Sequence, residues 1–112
     1  MRDYDLFLRQ TPEVDRDYVV GLLRRISPIA TDGFNQVFGL ATALAWETAG
    51  IKQAWMCCPD DASYLHSAGV VGTDNRYSLA ILTFAPNGSL AYRTDVLDGI
   101  AMLIFESGFS ID

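Results

Sequence analysis

The chain of 112 residues is short of several things, and each shortage excludes something. Basic charge is scarce: 8 Lys and Arg stand against 14 Asp and Glu, for a net charge of -6. Nucleic-acid binding needs a basic stripe to displace counterions from phosphate, and Arg24-Arg25 is the only adjacent basic pair here, so no nucleic-acid partner is expected. No run reaches the roughly 18 apolar residues of a membrane span. The N-terminus, MRDYDLFLRQ, alternates charge with apolarity and lacks the apolar centre of a signal peptide. As written, the chain reads as cytoplasmic, or as a mature or truncated piece of something longer. Cysteine is limited to Cys57 and Cys58. Neighbours on a strand point to opposite faces, a disulfide between them is strained, and two ligands alone do not hold a metal. They read as buried thiols at a strand end. Phosphate loops, GxGxxG, GxSxG and SxxK are all missing, so no cofactor or metal is expected.

What is present is a core. Half of the residues are hydrophobic, with 6 Phe, 5 Tyr and 2 Trp, which argues against disorder. The length fits one domain or part of a larger one. Three apolar, β-branched and aromatic runs, Ile51 to Cys57, Ser63 to Val71 and Tyr77 to Phe84, are separated by Pro59-Asp60-Asp61 and by Gly72-Thr73-Asp74-Asn75. Those clusters carry turn chemistry, and loops so short join antiparallel neighbours. The spacing predicts a three-stranded antiparallel meander over about 51–84.

Helices are expected on both sides of it in sequence. Thr11 fits an N-cap, Pro12 a first helical position, and Glu13 and Asp15 a first turn. Val14, Tyr18, Leu22 and Ile26 repeat every four residues, predicting a helix over about 12–26 that Pro28 stops. Residues 27–50 hold a turn at Thr31-Asp32-Gly33, a short extended or irregular piece from Phe34 to Gly39, and a helical turn or two within Ala41 to Thr48. After a turn at Pro86-Asn87-Gly88, a second helix is expected over about 94–107. Thr94 would cap it, and Val96, Leu97, Ile100, Leu103 and Ile104 would face the sheet. Gly99 inside that helix predicts close packing. The fold class is α+β.

Candidate chemistry is sparse. His66 and Ser67 are neighbours on a strand and so point to opposite faces, and Ser63 also falls opposite His66. A serine–histidine hydrolase needs the two within hydrogen-bond reach. His66 is expected to be a half-buried strand histidine with its ring hydrogen-bonded, although a small enzyme using it with acidic neighbours remains a rival. Asp60, Asp61 and Asp74 lack the spacing of a calcium loop and fit solvated turns. Lys52, near the start of an apolar strand, either snorkels to solvent or serves a purpose.

At Lys52 the order of elements resembles the C-terminal part of the penicillin-recognising serine hydrolases. These comprise the class A β-lactamases and D,D-peptidases, and the resemblance is especially to the actinobacterial β-lactamase-like proteins. In that family a strand facing the active site carries Lys-Thr/Ser-Gly, two strands follow, and an amphipathic helix closes the domain. Here Lys52-Gln53-Ala54 fall on that strand, with Trp55 after them as in the actinobacterial group. Residues 65–71 and 76–83 match the two strands that follow. A second register puts His66-Ser67-Ala68-Gly69 on the motif, but Lys52 leaves two strands and a helix after it, as the family requires.

The resemblance covers roughly residues 12–106 and implies a substrate-side role for Lys52, Gln53 and Ala54. Gln53 lacks the family's hydroxyl at its position, and Ala54 adds a methyl where glycine is usual. The nucleophile motif SxxK and the Ser-x-Asn/Asp-Asn motif are not in this chain. The resemblance therefore implies the C-terminal portion of such a domain, without catalysis of its own. A sheet missing its neighbours invites self-pairing, so a homo-oligomer or a complementing chain is the expected partner. The rival reading is a small α+β interaction or ligand-binding module acting as a homodimer.

Overall fold

The three extended runs become β1 (Gly50–Cys57), β2 (Ala62–Val71) and β3 (Tyr77–Pro86), paired antiparallel in the order β1-β2-β3. The computed structural model describes residues 6, 9–44, 49–57, 62–86 and 89–107. Among the described residues the sheet is accompanied by the α-helices α1 (Glu13–Leu23), α2 (Leu40–Ala43) and α3 (Leu90–Glu106). The fold is α+β, with the meander expected from the turn chemistry. The turns at 59–61 and 87–88, Trp46, Cys58 and most of residues 1–8 lie outside the described residues.

Strand alternation divides the sheet into two faces. Ile51, Gln53 and Trp55 share one with Leu65, Ser67 and Gly69, and with Leu79, Ile81 and Thr83. Onto this face α3 lays Leu97 and Ala101, while α2 and the segment before it contribute Phe38, Leu40 and Ala41. Phe38, Leu40, Ile51, Leu65 and Leu97 are fully buried there. At about 1.5–3 kcal/mol for each such side chain, this cluster is the main source of cohesion.

The opposite face is covered at one end only. Helix α1 seats Val20 against Val70. Gly50 permits that approach: a Cβ there would lie 3.1 Å from Val70, 3.3 Å from Leu23 and 3.4 Å from Val20. Past this contact Met56, Leu82 and Phe84 are exposed, with Tyr64 and His66 half-buried between them.

Both helices depart from expectation in detail. Pro12, not Thr11, occupies the N-cap of α1, and no side chain caps it. The Val14, Tyr18, Leu22 stripe faces solvent, and Val20 is the buried residue. The reason lies in the sheet, because the bare backbone at Gly50 accepts the face that carries Val20 and Leu23. Helix α3 begins at Leu90 because Ser89 caps it, its hydroxyl accepting from the Tyr92 amide at 3.2 Å. Thr94 lies inside the helix and donates to the Ala91 carbonyl. Leu97 and Ala101 are buried, whereas Ile100 and Leu103 are exposed. Gly99 has nothing within 4 Å of where a Cβ would sit, so it marks no close packing.

Candidate functional site: the open edge of the first strand

The sequence placed Lys52, Gln53 and Ala54 on one strand, and the structure separates them by face. Lys52 and Ala54 lie on the exposed side, while Gln53 is buried in the core at 0 % exposure. Among the described residues no strand pairs with the outer side of β1.

Lys52 bends round that edge. Its ammonium donates to the Gln53 carbonyl and stands 5.8 Å from the centre of the Trp55 ring. In an antiparallel ladder the residues alternate between exchanging backbone bonds with the partner and turning away from it. The carbonyl that Lys52 reaches belongs to the outward set. The Leu65 carbonyl agrees, since Leu65 sits opposite Trp55 and yet accepts from Thr83 Oγ1 on β3. Ile51, Gln53 and Trp55 therefore present their N–H and C=O groups to the open edge.

Behind this edge stands a wall. Trp55 stacks on Phe34, with ring centres 4.1 Å apart and planes 11° apart, and Phe34 meets Phe38 edge-on at 6.1 Å. Of the extended and irregular alternatives for the segment bearing Phe34 and Phe38, the irregular one is found, and polar bonds hold it in place. Gln53 Nε2 donates to the Gln36 carbonyl at 2.9 Å and to the Phe38 carbonyl at 2.6 Å. Ser67 Oγ accepts from the Leu40 amide at 2.9 Å. Asp98 on α3 accepts from the Gly39 amide at 2.5 Å and from Thr42 Oγ1 at 2.9 Å. Gln53 Oε1 is buried with no hydrogen-bond partner.

Gly39 is required at the centre of this clamp. Its φ is +58°, and a Cβ would lie 2.6 Å from Ser67 Cβ. Sequence reasoning missed the clamp residues Gln36, Ser67 and Asp98 and the aromatic wall. The available signal was Gln53 itself, a carboxamide at a core-facing position of an apolar strand.

His66 and Ser67 do lie on opposite faces. The His66 ring is hydrogen-bonded as expected, its Nδ1 accepting from the Thr83 amide at 3.2 Å. Tyr64, with its ring centre 6.1 Å away, is the aromatic neighbour of His66, while Ala54 and Leu82 sit opposite it on the flanking strands. The described residues contain no group of three or more His, Cys, Asp or Glu placed to hold a metal ion. They also contain no helix long and apolar enough to cross a membrane.

The fold and site define an α+β protein with a three-stranded antiparallel sheet, one covered face and an open, lysine-rimmed strand edge. Its sequence is similar to a putative lipoprotein LppW of Mycobacterium bovis and to the proteins of that name in two strains of Mycobacterium tuberculosis. Each is 30% identical to it over 104 residues, covering 89% of this chain and 33% of the relative. The chain thus spans about a third of the length of these curated relatives. No family model matches the chain, and no solved structure does.

Proposed function

We propose that this chain is the substrate-side part of a β-lactamase- or transpeptidase-like serine hydrolase fold, and that it binds along the edge of β1 without cleaving what it binds. The observation that carries the reading is Lys52 at the rim of a strand edge that no strand covers among the described residues, followed by two strands and a helix. A match to one third of longer relatives is in keeping with a unit that works inside a larger protein.

An extended peptide-like ligand would add to β1 as a further strand, using the outward amides and carbonyls of Ile51, Gln53 and Trp55. For that to happen Lys52 must leave the Gln53 carbonyl. Its ammonium would then be available to a ligand carboxylate, a charge-assisted bond stronger than the one it gives up. The Gln53 side chain takes no direct part, because its carboxamide holds the wall behind the edge. Ala54 shares the exposed face with Lys52 and sets how closely a ligand approaches there. No SxxK serine stands in the chain, so no acyl-enzyme is expected.

The test is a backbone NMR titration with a peptide ending in D-alanyl-D-alanine, alongside mass spectrometry after incubation with penicillin. Shifts confined to β1 and the 34–38 wall, lost in Lys52→Ala, with the protein mass unchanged, are expected. A penicilloyl adduct would overturn the absence of catalysis. An unperturbed β1 would overturn the edge as the site.

A further inference from the structure

We infer that α1 is a self-association surface, on which a second copy of this chain docks its own α1 antiparallel to the first. This goes beyond the edge of β1 and does not depend on it.

Three apolar side chains of α1 point away from the protein: Val14 is 79% exposed, Tyr18 67% and Leu22 46%. They are spaced by four residues and form a single stripe. Gly21 lies on the same side of the helix, and nothing stands within 4 Å of where its Cβ would be. A tyrosine beside a glycine gives a projection and a hollow on one helix face. Only an antiparallel partner brings each Tyr18 over the Gly21 of the other copy while placing Val14 opposite the far end of the stripe.

Charge selects the same orientation. Glu13, Asp15 and Asp17 lie in the first half of α1, where Arg16 pairs with Glu13 at 3.9 Å and with Asp17 at 3.7 Å and leaves Asp15 without an ion pair among the described residues; Arg24 and Arg25 follow the last residue of the helix. Arg24 is engaged with Asn75, its Nη2 donating to Oδ1 at 3.1 Å. Arg25 is exposed and makes no ion pair among the described residues. An antiparallel pair sets Arg25 of each copy against Asp15 in the first turn of the other, twice by symmetry. A parallel pair would set Asp15 against Asp15 and Arg25 against Arg25. The two-fold arrangement uses one patch on both subunits, as the commonest dimers do.

The seam is small beside the roughly 800 Å² per partner of a standard stable interface. The dimer is therefore expected to dissociate on dilution and to weaken as salt screens its charges.

The test is sedimentation equilibrium of the 112-residue chain across a dilution series, at low and high salt. A concentration-dependent dimer is expected, weakened at least tenfold by Tyr18→Glu and by Arg25→Glu, with circular dichroism unchanged. Combining Arg25→Glu with Asp15→Arg should recover the dimer, which a merely structural role of either residue would not do. A monomer at every concentration would overturn the inference and leave the stripe to a different chain. A dimer indifferent to Tyr18→Glu but abolished by Phe84→Glu would overturn it in favour of the bare sheet face.

Discussion

Gln53 and Ser67 stand directly opposite each other on β1 and β2, and each fastens a different point of the same irregular segment. Gln53 takes the Gln36 and Phe38 carbonyls, and Ser67 takes the Leu40 amide. One cross-strand pair thus fixes the wall beside the open edge.

Replacing Gln53 separates packing from hydrogen bonding. Gln53→Met keeps the volume but leaves two carbonyls without their donor, which should cost about 2–6 kcal/mol at roughly 1–3 for each unsatisfied buried group. Gln53→Glu should cost more, because it sets a carboxylate against both carbonyl oxygens. Urea unfolding followed by fluorescence gives the order; equal stability of the Met variant and the native chain would refute the clamp.

Gly39 tests the same junction from the other side. Gly39→Ala meets both a left-handed φ of +58° and a Cβ contact of 2.6 Å with Ser67. A loss of about 2–4 kcal/mol is expected from strain and overpacking together. Adding Ser67→Gly should return part of it by clearing the clash. A double-mutant cycle with no coupling would show that the contact does not exist.

Lys52 guards an edge that no strand covers among the described residues. Lys52→Val should change unfolding free energy by less than about 0.5 kcal/mol, as exposed substitutions do. It should nevertheless raise aggregation on mild heating, because a β-branched residue turns the edge into a template for pairing. Light scattering during the melt distinguishes the two effects.

The turn between β2 and β3 holds two non-glycine residues at positive φ, Asp74 at 57° and Asn75 at 55°. Asp74→Gly should be neutral or stabilise slightly, since glycine adopts that backbone without a Cβ penalty. Asn75→Ala should cost about 1–2 kcal/mol, losing both tolerance of the turn and the bond from Arg24. Thermal melts of the two variants should move in opposite directions or differ by several degrees.

The strands were legible because alternation and turn residues act within a few positions, so their bounds shifted by one or two residues. The opposite facing of His66 and Ser67 follows from strand period alone. Which side of α1 turns inward was not legible, since both Val14-Tyr18-Leu22 and the Val20 side are apolar and the choice belongs to Gly50, far away in sequence. The start of α3 was missed because Ser89 and Thr94 are both capping residues, and the cap is made by Ser89. The clamp was invisible because its bonds join residues 15 to 59 positions apart, where no local period operates.

Because the clamp draws on β1, β2 and α3 at once, residues 36–42 cannot fray independently of the sheet. Their amides should exchange with solvent in step with those of β1, as one cooperative opening unit, although the segment is irregular up to the start of α2 at Leu40. Anything that stiffens the β1 edge would then slow exchange at Gly39 and Leu40, whose amides end on Asp98 and Ser67. Occupancy of the strand would be reported behind the edge, by amides held on α3 and β2.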